Sequence, residues 1–248
     1  MNQTVKELQS QFKQLRLAET AEELPKLLRE AEQVSWTYLE LLEAITHFEL
    51  NKREEKSIER RMKWARFPYH KNLMEFEVKE QNALSERQLT QLQELNWLEQ
   101  QYNLILLGPP GVGKTHLSVG LGIEAIQKGF QVYFVTMGEL LHLLKTQEFT
   151  HKSQVQIKRL QASDLVIIDD LMYMAMDQRE ANLFFQVINH LYERSSIILT
   201  SNKSPEEWGE LMGDEGITTA ILDRLLHRVE VVSMNGDSYR MKNRQNLF

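Results

Sequence analysis

The sequence predicts an α/β fold with a mostly parallel sheet, preceded by an all-helical N-terminal part. Three observations carry this. After Gln101, short apolar runs alternate with helix-periodic stretches, the pattern of parallel strands joined by crossover helices. Before residue 75, apolar residues recur at spacings of three and four, the helical period. Between the first strand and the first helix of the second part stands a glycine-rich loop ending in Lys114-Thr115.

In the first part, Leu8, Phe12 and Leu15 set one helix. Leu24, Leu27, Leu28 and Ala31 set a second, and Leu39, Leu42 and Ile45 a third. Thr20 with Glu23 reads as a capping box opening the second helix. Ser35 or Thr37 starts the third. It runs into a basic stretch and ends at Phe67-Pro68, because proline disfavours helical geometry in the residue before it. Residues 72–100 read as a polar connector with a short helix over 85–98. Beyond it, strands are expected at 103–107, 132–135, 165–168, 197–199 and 229–232. Helices are expected at 114–128, 137–147, 153–162, 179–193, 205–212 and 217–227. The organisation is therefore a helical domain over 1–75, a connector over 76–100 and an α/β domain over 101–248.

Composition bounds the function. The chain has 248 residues, 42% hydrophobic and 26% charged, which is ordinary globular usage and argues against wholesale disorder. It has no cysteine, which removes disulfides, Cys-ligated zinc and thiol catalysis together. The start lacks a signal peptide's apolar stretch, and no apolar run nears the roughly 18 residues of a membrane span. A cytoplasmic protein without a membrane partner is expected. The seven histidines show no metal-ligand spacing. Trp36, Trp64, Trp97 and Trp208 read as packing residues, and Met172, Met174 and Met176 as loop packing.

Net charge is −6, which excludes a globally basic nucleic-acid binder but not a local patch. Residues 1–50 hold five Lys/Arg and nine Asp/Glu, whereas residues 51–71 hold eight Lys/Arg and three Glu. On a helix, Lys52, Lys56, Arg60 and Lys63 form a stripe, with Arg53 and Arg61 beside it and Arg66 beyond. Such a stripe can track DNA phosphates without reading sequence. Glu49, Glu55 and Glu59 equally allow a mixed, solvated face.

Gly108-Pro109-Pro110-Gly111-Val112-Gly113-Lys114-Thr115 matches G-x-x-x-x-G-K-[ST] in full, between a strand and a helix. The glycines let successive backbone N–H groups turn toward a polyanion, and the helix N-terminus adds partial positive charge. Lys114 can reach the β- and γ-phosphates of a nucleotide, and the Thr115 hydroxyl can bind Mg²⁺. His116, next on the helix, is taken with the loop as nucleotide-binding. The apolar run 165–168 ends in Asp169-Asp170. Asp169 is the candidate metal ligand, and Asp170 the residue that orients or deprotonates an attacking water. The alternative is a solvated turn. The run 197–199 ends in Thr200-Ser201-Asn202. If it lies between the other two strands, Asn202 faces the γ-phosphate; otherwise it is a turn asparagine. Arg224 and Arg228 share a helix face. One of them is either an arginine finger for a neighbouring subunit or a surface residue bonded to Asp223 or Glu230.

With these features in order, the chain resembles an AAA+ ATPase. More narrowly it resembles the IstB family, the ATP-dependent helpers of insertion-sequence transposition, which is close to DnaC-type helicase loaders. The resemblance includes Arg60-Arg61, Ala65-Arg66-Phe67-Pro68, the phosphate loop, Asp169-Asp170-Leu171, residues 184–192 and 198–202, residues 220–225 and Ser238-Tyr239-Arg240. It implies ATP and Mg²⁺ as cofactors and head-to-tail homo-oligomers on double-stranded DNA. It also implies remodelling of that DNA and recruitment of the partner transposase of the same insertion sequence. By the same resemblance, Gly111, Gly113 and Lys114 bind phosphate and Thr115 and Asp169 bind Mg²⁺. Asp170 takes the hydrolytic position, Asn202 the first sensor and Arg224 the finger. Two departures stand out. The general pattern has Asp-Glu where this chain has Asp169-Asp170, so slow hydrolysis is expected. Only 16 residues follow Val232, too few for the usual helical lid, and Arg240 is a weak stand-in for the second-sensor arginine that lid carries. The rival expectations are a DnaC-type helicase loader, a small-molecule kinase and an ATP-gated clamp.

Overall fold

The computed structural model describes residues 3–76, 84–171, 176–208, 215–236 and 238–239. The chain divides between Arg60 and Arg61 into two compact units, 1–60 and 61–248. That division falls inside a helix rather than near residue 75.

The first unit contains α1 (Gln3–Gln14), α2 (Ala18–Val34) and the larger part of α3 (Tyr38–Ala65). Thr37 opens α3 with a capping box. Its hydroxyl accepts from the Glu40 N–H at 3.3 Å, and the Glu40 carboxylate accepts from the Thr37 N–H at 2.6 Å. The box expected at Thr20–Glu23 does not form. Helix α2 already begins at Ala18, so Thr20 lies inside it and is buried. There its hydroxyl donates to the Glu49 carboxylate of α3, a charge-assisted bond worth more than a solvated cap.

In the second unit α3 ends at Ala65, and Arg66 at φ +60° leads into Phe67-Pro68. The helix expected over 85–98 is two, α4 (Glu86–Glu94) and α5 (Asn96–Glu99). Leu95 breaks them at φ +61° while its side chain is wholly buried. Burial of one leucine outweighs continuation of a polar helix. The α/β elements follow: β1 (Asn103–Leu107), α6 (Lys114–Gln127), β2 (Val132–Thr136), α7 (Met137–Thr146), α8 (His151–Gln161), β3 (Leu165–Leu171), α9 (Gln178–Leu191), β4 (Ser196–Ser201), α10 (Glu215–Leu226) and β5 (Val229–Ser233). The helix expected at 205–212 begins as a 3-10 turn, Pro205–Glu207, and residues 209–212 lie outside the described residues. So do Met172 and Met174, while Met176 is buried in the core.

The strand order is β2-β3-β4-β1-β5, and every pair is parallel. The apolar runs of β3 and β4 are buried, as strands covered on both faces must be. The chain leaves β1 for β2 at the far edge, then fills inward with β3 and β4. The C-terminal tips of β3, β4 and β1 thereby become neighbours, at the switch point where open α/β sheets bind ligands. Among the described residues, no helix is long and apolar enough to cross a membrane.

Arg66 is bound within the α/β unit. Its guanidinium donates to the Tyr133 hydroxyl of β2 at 3.1 Å, to the Glu139 carboxylate of α7 at 2.8 Å and to Gln156 of α8. Arg66→Ala is expected to lower unfolding stability by about 2 kcal/mol, because it strips three partners of a charged donor. Arg60→Ala, an exposed control, should stay within about 0.5 kcal/mol of the parent. Urea unfolding of both variants checks this.

Candidate functional site

The glycine-rich loop leaves β1 and enters α6. Its first N–H, on Gly108, donates to the Ser201 carbonyl of β4 at 3.1 Å, which ties the loop to the neighbouring strand. Val112 is buried and anchors the loop from beneath, while Pro109 and Pro110 are exposed. Gly113 is the N-cap of α6. The Lys114 ammonium is buried at the helix start and donates to the carbonyls of Gly108 at 2.6 Å and Pro109 at 2.9 Å. A cation wrapped in its own loop, at the positive end of a helix, is a polyanion cradle.

Beside it lies a cluster assembled from three elements. Thr115, on the first turn of α6, donates to both oxygens of the Asp169 carboxylate at 3.0 and 3.1 Å. Thr200 of β4 donates to the same carboxylate at 2.6 Å. Asp169 is 4% exposed. Burial pushes its carboxyl above the usual range, and the neighbouring Asp170 adds to this, against the hydroxyls of Thr200 and Thr115 and the Lys114 charge. A hydroxyl and a buried carboxylate side by side are hard oxygen donors suited to Mg²⁺, which takes few protein ligands and completes its shell with phosphate and water. Among the described residues no cluster of three or more His, Asp or Glu could hold a metal without such help.

Asp170 is exposed and left-handed at φ +56°, at a register shift in β3 between Ile168 and Leu171. Its N–H donates to the Thr200 hydroxyl at 2.9 Å. The bulge turns the two successive acids apart, one into the sheet edge and one outward. Thr200 thus holds both, donating to one and accepting from the backbone of the other. The sequence pattern points instead to Asn202. The available signal was a hydroxyl at the tip of an otherwise apolar strand, one position past the pairing of Ile168 with Leu199. β4 does lie between β1 and β3, and Asn202 follows it, exposed, at the same sheet edge.

Other expected site residues lie elsewhere. The His116 ring bonds to the Asn72 carbonyl at 3.1 Å and packs edge-on to Phe76, so its contacts are with the segment before α4. Burial lowers its pKa and favours the neutral ring. Arg224 sits at the opposite edge of the sheet, where Asn103 at the start of β1 donates to the Leu225 carbonyl at 3.0 Å. Its guanidinium donates to Asn189 at 3.0 Å and to the Ala220 carbonyl at 2.9 Å, and stacks over Phe185. Neither Asp223 nor Glu230 is among these partners. Arg228 is exposed, with a long 3.5 Å contact to the Gln100 carbonyl. The basic residues separate as well. In the first unit Lys52 pairs with Glu55, Arg53 with Glu49 and Lys56 with Glu19, and Arg60 is exposed. In the second, Arg61 donates to the Gly129 carbonyl at 2.9 Å, Arg66 forms the network above, and Lys63 is exposed.

Residues 10–247 match the model of a single family, described as IstB-like ATP binding protein. The chain belongs to that family. A protein of the IS21 insertion sequence of Pseudomonas aeruginosa, described as ATP-binding, is 37% identical over 96% of this chain and 90% of its own length. An IS21-like relative from Bacteroides fragilis is 38% identical over 98% of this chain and 92% of its own. Among solved structures, DnaI aligns with a TM-score of 0.56 at 16% identity, covering 69% of this chain and 91% of that one. DnaA of Aquifex aeolicus bound to AMPPCP aligns at 0.51 and 23% identity, covering 64% and 50%. These likenesses show that the α/β part shares its fold with those two proteins. The chain is thus one of an insertion-sequence ATP-binding family, with a phosphate loop at the switch point of its sheet.

Burial makes ionisation of Asp169 costly to the folded state. Its folded pKa is raised, so its contribution favours the native state most below the unfolded value and is lost as pH rises through the folded value. Asp169→Asn is expected to stabilise the chain at pH 7, because the amide removes the cost of burying a charge. The gain should shrink as pH falls toward 4. Chemical denaturation at several pH values measures it.

Proposed function

We propose that this protein is an ATP-driven helper of transposition. In this reading it assembles head-to-tail on duplex target DNA in its ATP-bound state, remodels that DNA and recruits and stimulates the transposase of its own insertion sequence. Hydrolysis then disassembles it. The observation that carries the reading is the Thr115–Asp169–Thr200 cluster beside the buried Lys114, which joins three separate elements at the phosphate loop.

In this mechanism the loop N–H groups and Lys114 bind the triphosphate, and Thr115 and Asp169 would hold Mg²⁺. The cation, when bound, neutralises charge on the β- and γ-phosphate oxygens. Asp170, turned outward by the bulge, orients and deprotonates water, and Asn202 positions it. Arg224 lies at the edge opposite its own phosphate loop, so its action on a γ-phosphate would be in trans, on a neighbour's nucleotide. It must leave Asn189 and Phe185 to do so, which supports slow turnover before assembly. In the first unit, exposed Arg60 and, one turn away on α3, Lys56, which would exchange Glu19 for phosphate, are the proposed contacts to duplex DNA. The match to relatives described by their insertion sequences supports this reading over a helicase loader.

The deciding experiment is electron microscopy with ATP, with and without duplex DNA. The parent should form assemblies on DNA and Lys114→Ala none. Asp170→Asn should assemble but hydrolyse at least about tenfold more slowly. Assembly by Lys114→Ala equal to the parent's would overturn the site.

Lys56→Glu with Arg60→Glu should weaken duplex binding and lower the magnitude of the log–log salt slope by about 2, leaving nucleotide affinity unchanged. Fluorescence titrations across a salt series read both quantities.

A further inference from the structure

The chain does not end its contacts with the nucleotide site at the phosphate loop. After β5, which pairs along β1 as far as Leu107–Ser233, the Met234 N–H donates to the Leu107 carbonyl at 2.6 Å. Met234 is wholly buried. Further on, the Tyr239 N–H donates to the Gly111 carbonyl at 3.1 Å. The C-terminal segment is thus bonded at the residue before the loop and again in its middle.

Two glycines make room for it. A side-chain carbon on Gly108, at φ +149°, would stand 2.1 Å from the Met234 carbonyl oxygen. One on Gly111, at φ +89°, would stand 2.1 Å from the Ser238 hydroxyl oxygen and 2.9 Å from the Ser238 side-chain carbon. Both positions therefore exclude a side chain twice over, by backbone conformation and by the approach of residues far along the chain.

We infer that Ser238 and Tyr239 are positioning residues for the nucleotide, acting through the Gly111–Val112 peptide. That peptide is planar and trans, so its carbonyl and its N–H point in opposite directions. Phosphate loops hold their anion with successive backbone N–H groups. Fixing the Gly111 carbonyl against the Tyr239 N–H fixes where the Val112 N–H points. Ser238, seated against the Cα of Gly111, keeps the peptide from rotating back. By linkage, whatever the segment adds to nucleotide affinity, bound nucleotide returns to the segment as order.

The proposal rests on the nucleotide reading above, and the test separates the two. Tyr239→Pro removes the donating N–H, whereas Tyr239→Ala keeps it. Full-length parent and both variants are titrated with fluorescent ADP and ATP analogues. Tyr239→Pro should bind both roughly tenfold more weakly, the loss of one well-placed hydrogen bond. Tyr239→Ala should stay within about twofold. In the parent, ADP should slow hydrogen exchange at the Tyr239 amide, a readout that needs no variant. A parent that binds neither analogue defeats the nucleotide reading itself. A parent that binds them, with Tyr239→Pro binding equally or more tightly, or with exchange at Tyr239 unaltered by ADP, overturns the positioning role alone.

Discussion

The Asp169 carboxylate is shared by hydroxyls from two other elements, and much of the α/β unit has to be in register for that to happen. Thr115 arrives on the first turn of α6, so the loop before it must leave β1 at the correct height. Thr200 arrives on β4, so β4 must lie between β1 and β3. A carboxylate this buried is tolerated only with such partners. Under the proposed reading, the same carboxylate whose burial is costly is the one a cation would neutralise.

The two edges of the sheet divide the labour. The C-terminal tips carry the phosphate loop, the two acids and Asn202. The N-terminal edge carries Arg224, bound by Asn189 and laid over Phe185. Under the proposed reading these edges would carry the two halves of one site. Head-to-tail association is the arrangement that would bring such halves together, since a two-fold dimer pairs like edges with like.

Much of this was legible in the sequence because it rests on local rules. Alternating apolar runs and helical periods give the strands and helices, and the phosphate loop is a contiguous string whose residues must be neighbours to bend as they do. What was not legible is what depends on distant partners. Thr20 reads as a cap until Glu49 is seen beside it, and Arg66 reads as a DNA contact until Tyr133, Glu139 and Gln156 surround it. Leu95 splits a plausible helix because its burial is a tertiary matter. The part played by Thr200 lies in the register of β3 against β4, which no single segment encodes. Asp169 and Asp170 were legible as a pair, but not the bulge that separates their directions.

That bulge bears on which acids the second position can accept. Left-handed backbone is tolerated best by glycine and by short polar residues, aspartate and asparagine foremost, and less well by longer side chains. With Asp170 at φ +56°, a glutamate there would gain reach but sit in a conformation it disfavours. The shorter acid thus suits the backbone at this position. Side-chain length and backbone twist are a matched set here. Lengthening the acid alone, in this chain or in a grafted site, would trade its reach against the turn that aims it.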